Sequence, residues 1–218
     1  MSDLSSHKKR GASPFFLKIL SREVFILKLV IATQNKGKIK EYEELLGNEF
    51  EILSLTDVGF TGDIEETGKT FEENSFIKAK AVYDFCKIPT LADDSGLMTD
   101  ALSGDPGVFS ARYAGRHGDD VKNYTLLLKN LENEKNRKAR FKTAVTLITE
   151  TETFTATGET EGEILFAPEV SNGFGYDPVF FSYDLKKSFG VATDEEKNEV
   201  SHRSRAVKNL LKLLKITE

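Results

Sequence analysis

A β-prone run at residues 27–32 is followed directly by a polar turn and then by a helical pattern. Apolar residues recur in that pattern at a helical period, and charged residues occupy the opposite face. The apolar face consists of Ile39, Tyr42, Leu45 and Leu46. The charged face consists of Lys40, Glu41, Glu43 and Glu44. This order predicts a β-turn-α unit, from which α/β domains are built.

Strand-like and helical segments then alternate along the rest of the chain. Residues 70–87, residues 119–131 and the stretch from Ser201 onward show the apolar spacing of helices. The strand-like segments, rich in β-branched and aromatic residues, are 50–55, 90–94, 97–102, 139–150, 153–158, 163–166 and 178–181. The pattern predicts an α/β fold, a mixed β-sheet with flanking helices.

The length of 218 residues fits one domain, which we expect to span residues 27–218. Residues 1–26 are expected to form an N-terminal extension outside it, either a flexible tail or the product of an upstream start. The formal net charge of -5 argues against a nucleic-acid polymer as partner, because such binding calls for a clustered basic face. Small anionic substrates stay compatible with it, since a lysine cluster or a metal ion can reverse the local field.

The cysteine and hydropathy patterns indicate the compartment. Cys86 is the single cysteine, so no internal disulfide can form and a reducing, cytoplasmic location is expected. No run approaches the ~20 apolar residues of a membrane span, so no membrane partner is expected.

The stretch Thr90–Gly96 reads Thr-Leu-Ala-Asp-Asp-Ser-Gly, which predicts a strand that ends at a functional site. Successive side chains of a strand point to opposite faces, so Asp93 and Asp94 are not expected to face one cleft together. One carboxylate is expected to perform the chemistry and the other to support it. An ordinary turn is the alternative, because Asp, Ser and Gly also end strands and cap helices.

Two charged sets suggest phosphate chemistry. The turn after the first strand offers backbone N–H groups at a helix N-terminus beside Lys36 and Lys38, which is a cradle for a polyphosphate. It is not a Walker A loop, because the glycine and the Ser/Thr required there are absent. The pairs Glu65-Glu66 and Asp93-Asp94 offer the hard oxygens that magnesium prefers. A solvated turn and surface charge are the alternatives.

A glycine-aromatic stretch at residues 173–178 suits a flat ligand. Its glycines let the backbone approach closely, and an exposed Phe174 can stack on a base for roughly 1–3 kcal/mol. At a predicted helix start, Arg203 could donate to a keto or phosphate oxygen. An aromatic hairpin corner and a helix cap with surface charges are the alternatives.

Taken together, six motifs occur in the order seen in the inosine triphosphate pyrophosphatase family, which the chain resembles from about Leu29 to Leu214. The motifs are Ala32-Thr33-x-Asn35-x-Gly37-Lys38, Glu65-Glu66-Thr67-Gly68-x-Thr70-Phe71-x-Glu73-Asn74, Ala92-Asp93-Asp94-Ser95-Gly96, Pro106-Gly107-x-x-Ser110-Ala111-Arg112-Tyr113, Gly173-Phe174-Gly175-Tyr176-Asp177-Pro178 and Ser201-His202-Arg203. Their shared order is specific, although each motif alone is not.

The resemblance implies a magnesium-dependent homodimer with two lobes about a central cleft. The implied activity is hydrolysis of ITP, dITP or XTP to the monophosphate and pyrophosphate, which cleanses the nucleotide pool of deaminated purines. It implies that Asp94 is the general base, and that Glu66 and Asp94 hold the metal. The implied substrate-binding residues are Thr33, Gln34, Asn35, Lys36, Gly37, Lys38, Lys78, Ser95, Phe174, Gly175, Tyr176, Asp177, Lys197, His202 and Arg203.

The chain differs from the family's sequence pattern in three respects, and there are two alternatives to the implied activity. Gln34 occupies a variable position, Ser75 stands where alanine is expected, and residues 1–26 have no counterpart. A purine nucleotide-binding regulatory module without turnover is one alternative, against which the intact Glu66, Asp94 and Lys38 argue. The related Maf-type pyrophosphatases are the other, but they would need a serine-proline-arginine loop after the first strand.

Overall fold

The computed structural model describes residues 27–169 and 173–214. The expected N-terminal extension lies outside the described residues. The strands are β1 (Leu27–Ile31), β2 (Phe50–Leu53), β3 (Thr90–Thr99), β4 (Lys138–Ile148), β5 (Thr153–Ile164), β6 (Phe180–Ser182) and β7 (Lys187–Ser188). The α-helices are α1 (Lys36–Leu46), α2 (Phe71–Cys86), α3 (Asp120–Asn130), α4 (Asp194–Val200) and α5 (His202–Leu213). Two 3₁₀ helices span Gly107–Arg112 and Asp177–Val179.

The strands form one mixed sheet in the order β2-β1-β3-β4-β5-β6-β7. β1 pairs in parallel with both β2 and β3, whereas the pairs from β3 to β7 are antiparallel. Helices pack on this sheet, so the predicted α/β class is confirmed. The segments 153–158 and 163–166 were predicted as separate strands. The structure joins the first segment and residues 163–164 in the single strand β5, because the ladder with β4 continues from Thr153 to Glu163, and residues 165–166 lie beyond the strand.

The predicted strand end at Asp93 and Asp94 is wrong. β3 continues to Thr99, because β4 pairs with it along its whole length. The neighbour on the other side is the strand that stops: β1 pairs only as far as Ile31, opposite Leu91. Both carboxylates therefore lie within a continuous strand, just beyond the end of β1.

The parallel half of the sheet is covered on both faces. On one face, α1 and α5 bury Leu29, Ile31 and Leu91 against a cluster that includes Tyr42 and Val207. On the other face, α2 covers alternate strand residues, including Val30 and Ala92. Strands buried on both faces read as continuous apolar runs, which explains the run from Leu29 to Ile31 in β1.

A second apolar cluster lies around the far half of the long antiparallel strands. It joins Leu97 and Phe141 with Leu127 of α3 and with Phe180 and Phe189. Ala32 from the cluster under α2 and Leu97 from the far cluster both line a cavity. Among the described residues, no helix is long and apolar enough to cross a membrane.

Candidate active site

A cavity of about 590 Å³ opens at the carboxyl end of β1, beside the unpaired edge of β3. In open α/β sheets, ligands bind outside the carboxyl ends of strands, where backbone groups are not used in the ladder. All of the predicted site residues line this cavity except Lys36 and Gly37. Lys36 is exposed at the first turn of α1. The structure therefore gathers most of the predicted site in one place and leaves Lys36 outside it.

Asp93 points to the face that α1 and α5 cover. Its Oδ2 lies 2.9 Å from Nζ of Lys38, 3.1 Å from Nη2 of Arg203 and 2.5 Å from Oγ of Ser95. Burial acts to raise the pKa of the Asp93 carboxyl, but Lys38 and Arg203 outweigh burial and hold that pKa well below its usual value. Asp93 is therefore a buried counter-charge for two cations.

Asp94 points to the opposite face, toward α2. Its Oδ2 accepts a hydrogen bond from Nδ2 of Asn74 at 3.0 Å, and its Oδ1 lies 3.5 Å from Nζ of Lys78. Burial raises the pKa of the Asp94 carboxyl, and the negative charge of Glu66 adds to the effect. A carboxylate with a raised pKa is better suited to accept a proton near neutral pH. The alternation predicted for Asp93 and Asp94 is therefore present.

Lys78 joins Asp94 to the loop that carries Glu66. Nζ of Lys78 lies 2.6 Å from Oε1 of Glu66, and Nη1 of Arg112 lies 3.7 Å from Oε2 of the same residue. The neighbouring Glu65 is exposed. Of the predicted acidic pair in this loop, the structure thus directs only Glu66 to the cavity.

The loop after β1 differs from the predicted open cradle. Oδ1 of Asn35 accepts hydrogen bonds from the N–H groups of Gly37 at 2.9 Å and Lys38 at 3.2 Å. Asn35 is thus the N-cap of α1, and the two N–H groups expected to be free are already satisfied. The side chains of Thr33, Gln34 and Lys38 line the cavity instead.

Gly37 contributes through its lack of a side chain. A Cβ built at Gly37 would lie 2.7 Å from Cδ1 of Phe174, closer than packed atoms allow. The absence of that carbon lets the ring of Phe174 pack against the start of α1. Gly37 therefore brings the predicted phosphate loop and the predicted base-stacking ring together.

The aromatic end of the cavity combines a ring with buried charges. Nζ of Lys197 lies 4.6 Å from the centroid of the Phe174 ring, and Cζ of Arg203 lies 5.8 Å from it. Oδ2 of Asp177 accepts from Nζ of Lys197 at 2.7 Å and from the N–H of Phe174 at 3.0 Å. Burial raises the pKa of the Asp177 carboxyl. The ring and both cations are thus held in fixed positions beside the cavity.

Ser201 is the N-cap of α5, as the alternative had it, but His202 and Arg203 are buried, so the surface charges of that alternative are wrong. Among the residues that the structure describes, Nδ1 of His202 and Nε of Arg203 have no hydrogen-bond partner. The His202 ring stacks on Phe141 with centroids 4.8 Å apart. Burial lowers the pKa of His202 well below its usual value, and the charge of Arg203 acts in the same direction. A buried unpaired polar atom is costly, and these two atoms carry that cost in the folded chain.

Glu41 was missed by the sequence analysis, which assigned it to the charged face of α1. It is buried, forms an ion pair with Arg203, and its Oε1 lies 3.0 Å from Nζ of Lys197. Burial acts to raise the pKa of Glu41, but Arg203 and Lys197 lower it to about 2. No local signal distinguishes Glu41 from its exposed neighbours, because its partners lie in the C-terminal helices.

Other cavity residues also had no predicted role. Four of them carry groups that can ionise or form ion pairs: Asp63, Arg112, His117 and Asp120. Arg112 belongs to one of the six motifs, so its position in an ordered motif was the available signal. Asp63, His117 and Asp120 lie outside all of the motifs.

The cavity offers two carboxylates that could hold magnesium, Glu66 and Asp94. In the described part of the chain, no three His, Cys, Asp or Glu side chains are grouped closely enough to hold a metal ion by themselves. Magnesium usually takes only one or two protein carboxylates and completes its shell with phosphate oxygens and water. Glu66 and Asp94, which Lys78 joins, fit that requirement when a nucleotide is present.

Comparison with known proteins identifies relatives along nearly the whole described chain. Residues 29–213 match the family model described as the Ham1 family. A dITP/XTP pyrophosphatase of Halalkalibacterium halodurans is 47% identical over 189 residues, covering 85% of this chain and 97% of the relative. One of Bacillus subtilis is 45% identical over 195 residues, covering 88% and 98%. The solved structure of a HAM1 protein from Coxiella burnetii has a TM-score of 0.79 at 38% identity and covers 88% of this chain and 100% of that one. The chain belongs to the Ham1 family.

Proposed function

We propose that this protein hydrolyses the non-canonical purine nucleoside triphosphates ITP, dITP and XTP to the nucleoside monophosphate and pyrophosphate. The observation that carries the proposal is the lining of a single cavity. Lys38, Lys78, Glu66 and Asp94 line it together with the ring of Phe174 and the buried cations Lys197 and Arg203. A polyphosphate and a base are the two parts of a nucleotide that these two kinds of group suit. The names of the relatives agree with this substrate class.

The proposed reaction is attack of water on the α-phosphorus. Asp94 accepts the proton of that water, a P–O bond forms, and the bond to the bridging oxygen of the β-phosphate breaks, so pyrophosphate leaves. The raised pKa of Asp94 supports its use as a base. Lys38 and Lys78 hold phosphate oxygens by charge-assisted hydrogen bonds. Ser95 and the side chains of Thr33 to Asn35 supply further contacts.

Magnesium is the proposed cofactor, with Glu66 and Asp94 as its protein ligands. Bound there, it would neutralise phosphate charge and polarise the phosphoryl group. Until the ion and the nucleotide bind, Lys78 balances part of the charge of Glu66 and Asp94.

We assign selection of the base to the buried donors Arg203 and Lys197. The 6-keto oxygen of hypoxanthine or xanthine accepts hydrogen bonds from Arg203 or Lys197, whereas the 6-amino group of adenine would place a donor against a donor. A site built from polar groups rejects such a ligand strongly, because both partners stay unpaired. Phe174 stacks on the base, with Gly175, Tyr176 and Asp177 shaping the loop that carries it.

The first prediction concerns pyrophosphate release from ITP, dITP, XTP, GTP and ATP, with magnesium and after its removal by a chelator. We expect ITP, dITP and XTP to be hydrolysed at least ~100-fold faster than ATP, since unpaired polar groups give large discrimination. Asp94→Asn is expected to lower kcat by about 100-fold or more, the scale of general-base catalysis.

The matched control is Asp84→Asn, an exposed carboxylate at the far end of α2 that pairs with Lys80 and Lys87. It should retain the parent rate. Equal rates with ITP and ATP would contradict the substrate proposal, and full activity of Asp94→Asn would contradict the assignment of the base. Binding of ITP without any pyrophosphate release would favour the regulatory module instead.

A homodimer and a cytoplasmic location complete the proposal, and both rest on the resemblance and the composition. Light scattering of the purified protein is expected to give twice the chain mass of 24.4 kDa. A monomeric mass at the concentration used for the assay would contradict the dimer.

A further inference from the structure

Asp120 brings a carboxylate to the cavity that the proposed chemistry does not use. It is the first residue of α3, and its side chain lines the cavity. Its charge has the same sign as a polyphosphate, so on electrostatic grounds it would oppose binding. The N-terminal end of α3 carries a partial positive charge, which stabilises the carboxylate where it lies. The position calls for a role other than a contact with phosphate.

The partner of Asp120 is the backbone of the glycine-aromatic loop. Its Oδ2 accepts a hydrogen bond from the N–H of Gly175 at 2.8 Å. Gly175 has a φ of 65°, in the left-handed region that glycine adopts without strain. The contact links residues 55 positions apart, so it joins two separate parts of the fold.

The other contacts of the loop flank this one. On one side of Gly175, the N–H of Phe174 donates to Asp177 within the loop. On the other side, the hydroxyl of Tyr176 donates to the carbonyl oxygen of Ser110 at 2.9 Å. The link to Asp120 therefore fixes the peptide that directly follows Phe174.

The start of α3 is itself held firmly. Asn123 is buried, accepts from the N–H of Ala114 at 2.8 Å and donates to the carbonyl oxygen of Ala111 at 3.2 Å. These bonds tie the first turn of α3 to the end of the 3₁₀ helix of Gly107–Arg112 and to the segment that follows it. Asp120 thus stands on a rigid base, as a group that positions another must do.

We propose that Asp120 is a positioning residue that fixes Gly175, and through it the ring of Phe174, for stacking on the purine base. The inference rests on the proposed function. Gly37 limits the ring on its α1 side, and Asp120 holds the backbone that carries the ring on its α3 side. Loss of the Asp120 contact lets the ring leave the stacking position, which weakens substrate binding more than it slows the chemical step.

The test compares steady-state kinetics with dITP. Asp120→Ala removes the acceptor and is expected to raise KM by about 10-fold while kcat changes by less than about threefold, the pattern of a lost binding contact. Asp120→Asn keeps an oxygen that can accept from Gly175, so KM should stay within about twofold of the parent. An Asn variant as impaired as the Ala variant would overturn the inference.

Asp119→Ala is the matched control. Asp119 is the N-cap of α3 and accepts from the N–H of Lys122 at 3.2 Å. Its loss should lower the unfolding temperature and leave KM unchanged. If Asp119→Ala raises KM as much as Asp120→Ala does, the rise in KM comes from damage to the start of α3 and not from loss of the Gly175 contact, and the inference is wrong.

A double-mutant cycle shows whether Asp120 acts through Phe174. The double variant Asp120→Ala/Phe174→Ala is expected to bind dITP no more weakly than Phe174→Ala alone, because coupled residues are not additive. Additive losses would refute the positioning role. An inactive parent enzyme would refute the proposed function itself, whereas an active parent with an unchanged KM in Asp120→Ala refutes only this inference.

Discussion

Two neighbouring residues of one strand, Asp93 and Asp94, carry the same carboxylate in opposite electrostatic settings. Lys38 and Arg203 hold the pKa of Asp93 well below its usual value against the effect of burial. Burial raises the pKa of Asp94, although Lys78 lies nearby. The fold therefore stabilises the charged form of Asp93 and disfavours that of Asp94. Active sites often carry such a cost, because the group is placed for reaction rather than for stability.

Replacing Asp by Asn should change the free energy of unfolding differently at the two positions. Asp93→Asn is expected to lower the free energy of unfolding by about 3 kcal/mol, the cost of removing one partner from a buried ion pair. Asp94→Asn should leave that free energy unchanged or raise it, because it removes a charge that burial disfavours. Urea unfolding at neutral pH, followed by circular dichroism, measures both. Equal losses of stability in the two variants would contradict the division of roles.

At the scale of elements, the position of α5 depends on a glycine in β5. A Cβ built at Gly158 would lie 2.2 Å from the carbonyl oxygen of His202 and 2.4 Å from the N of Ala206. Both atoms belong to helix backbone, which cannot move as a flexible side chain can. The first turn of α5 also carries Arg203, so close helix-strand packing sets the position of a proposed substrate residue.

Gly158→Ala is therefore expected to lower the free energy of unfolding by about 1–3 kcal/mol, the usual cost of overpacking. Displacement of α5 should also raise KM for dITP. Thr157→Ala, at the exposed neighbouring position of the same strand, is the control and should change stability by less than about 1 kcal/mol. A Gly158→Ala variant with parental stability would show that α5 moves away freely.

At the scale of the whole molecule, buried charges join elements that are distant in sequence. Glu41 of α1 pairs with Arg203 of α5 and with Lys197 of α4. Lys197 also contacts Asp177 of the glycine-aromatic loop. Removal of one member of such a network leaves its partner charged and buried, so the network favours one relative arrangement of the elements.

His202 lies beside this network and should make folding sensitive to mild acid. Its folded pKa lies well below the ordinary value near 6.5, so below that pH the unfolded chain binds the extra proton and stability falls. Protonation of His202 in the unfolded chain should by itself make the free energy of unfolding about 1 kcal/mol smaller at about pH 5.5 than at about pH 7.

His202→Gln removes this titration and keeps the carboxylates, so the pH difference between parent and variant isolates His202. The lowered pKa of Glu41, about 2, affects stability only at more acidic pH. Urea midpoints at the two pH values provide the measurement. An identical pH dependence in parent and variant would contradict a neutral, buried His202.

Contacts between neighbours in the chain were predictable from the sequence. The ordered motifs indicated the family, which the match over residues 29–213 confirms. Thr193 and Glu196 show the Thr-x-x-Glu spacing that is typical of a capping box, and the structure contains that box with both of its hydrogen bonds. Local propensity and capping depend on residues a few positions apart, so the chain itself carries that information.

Contacts between distant residues were decided only by the tertiary structure. β3 continues past Asp94 because β4 pairs with it, and β4 begins 44 positions after Asp94, at Lys138. Glu41 is buried because Arg203, 162 positions away, packs against it. A pattern read along one segment shows its period and its caps but not its partner in space. The sequence alone thus determined the family and the α/β class and proposed a set of site residues, most of which line one cavity. Tertiary packing decided where the strand ends lie and which charges are buried.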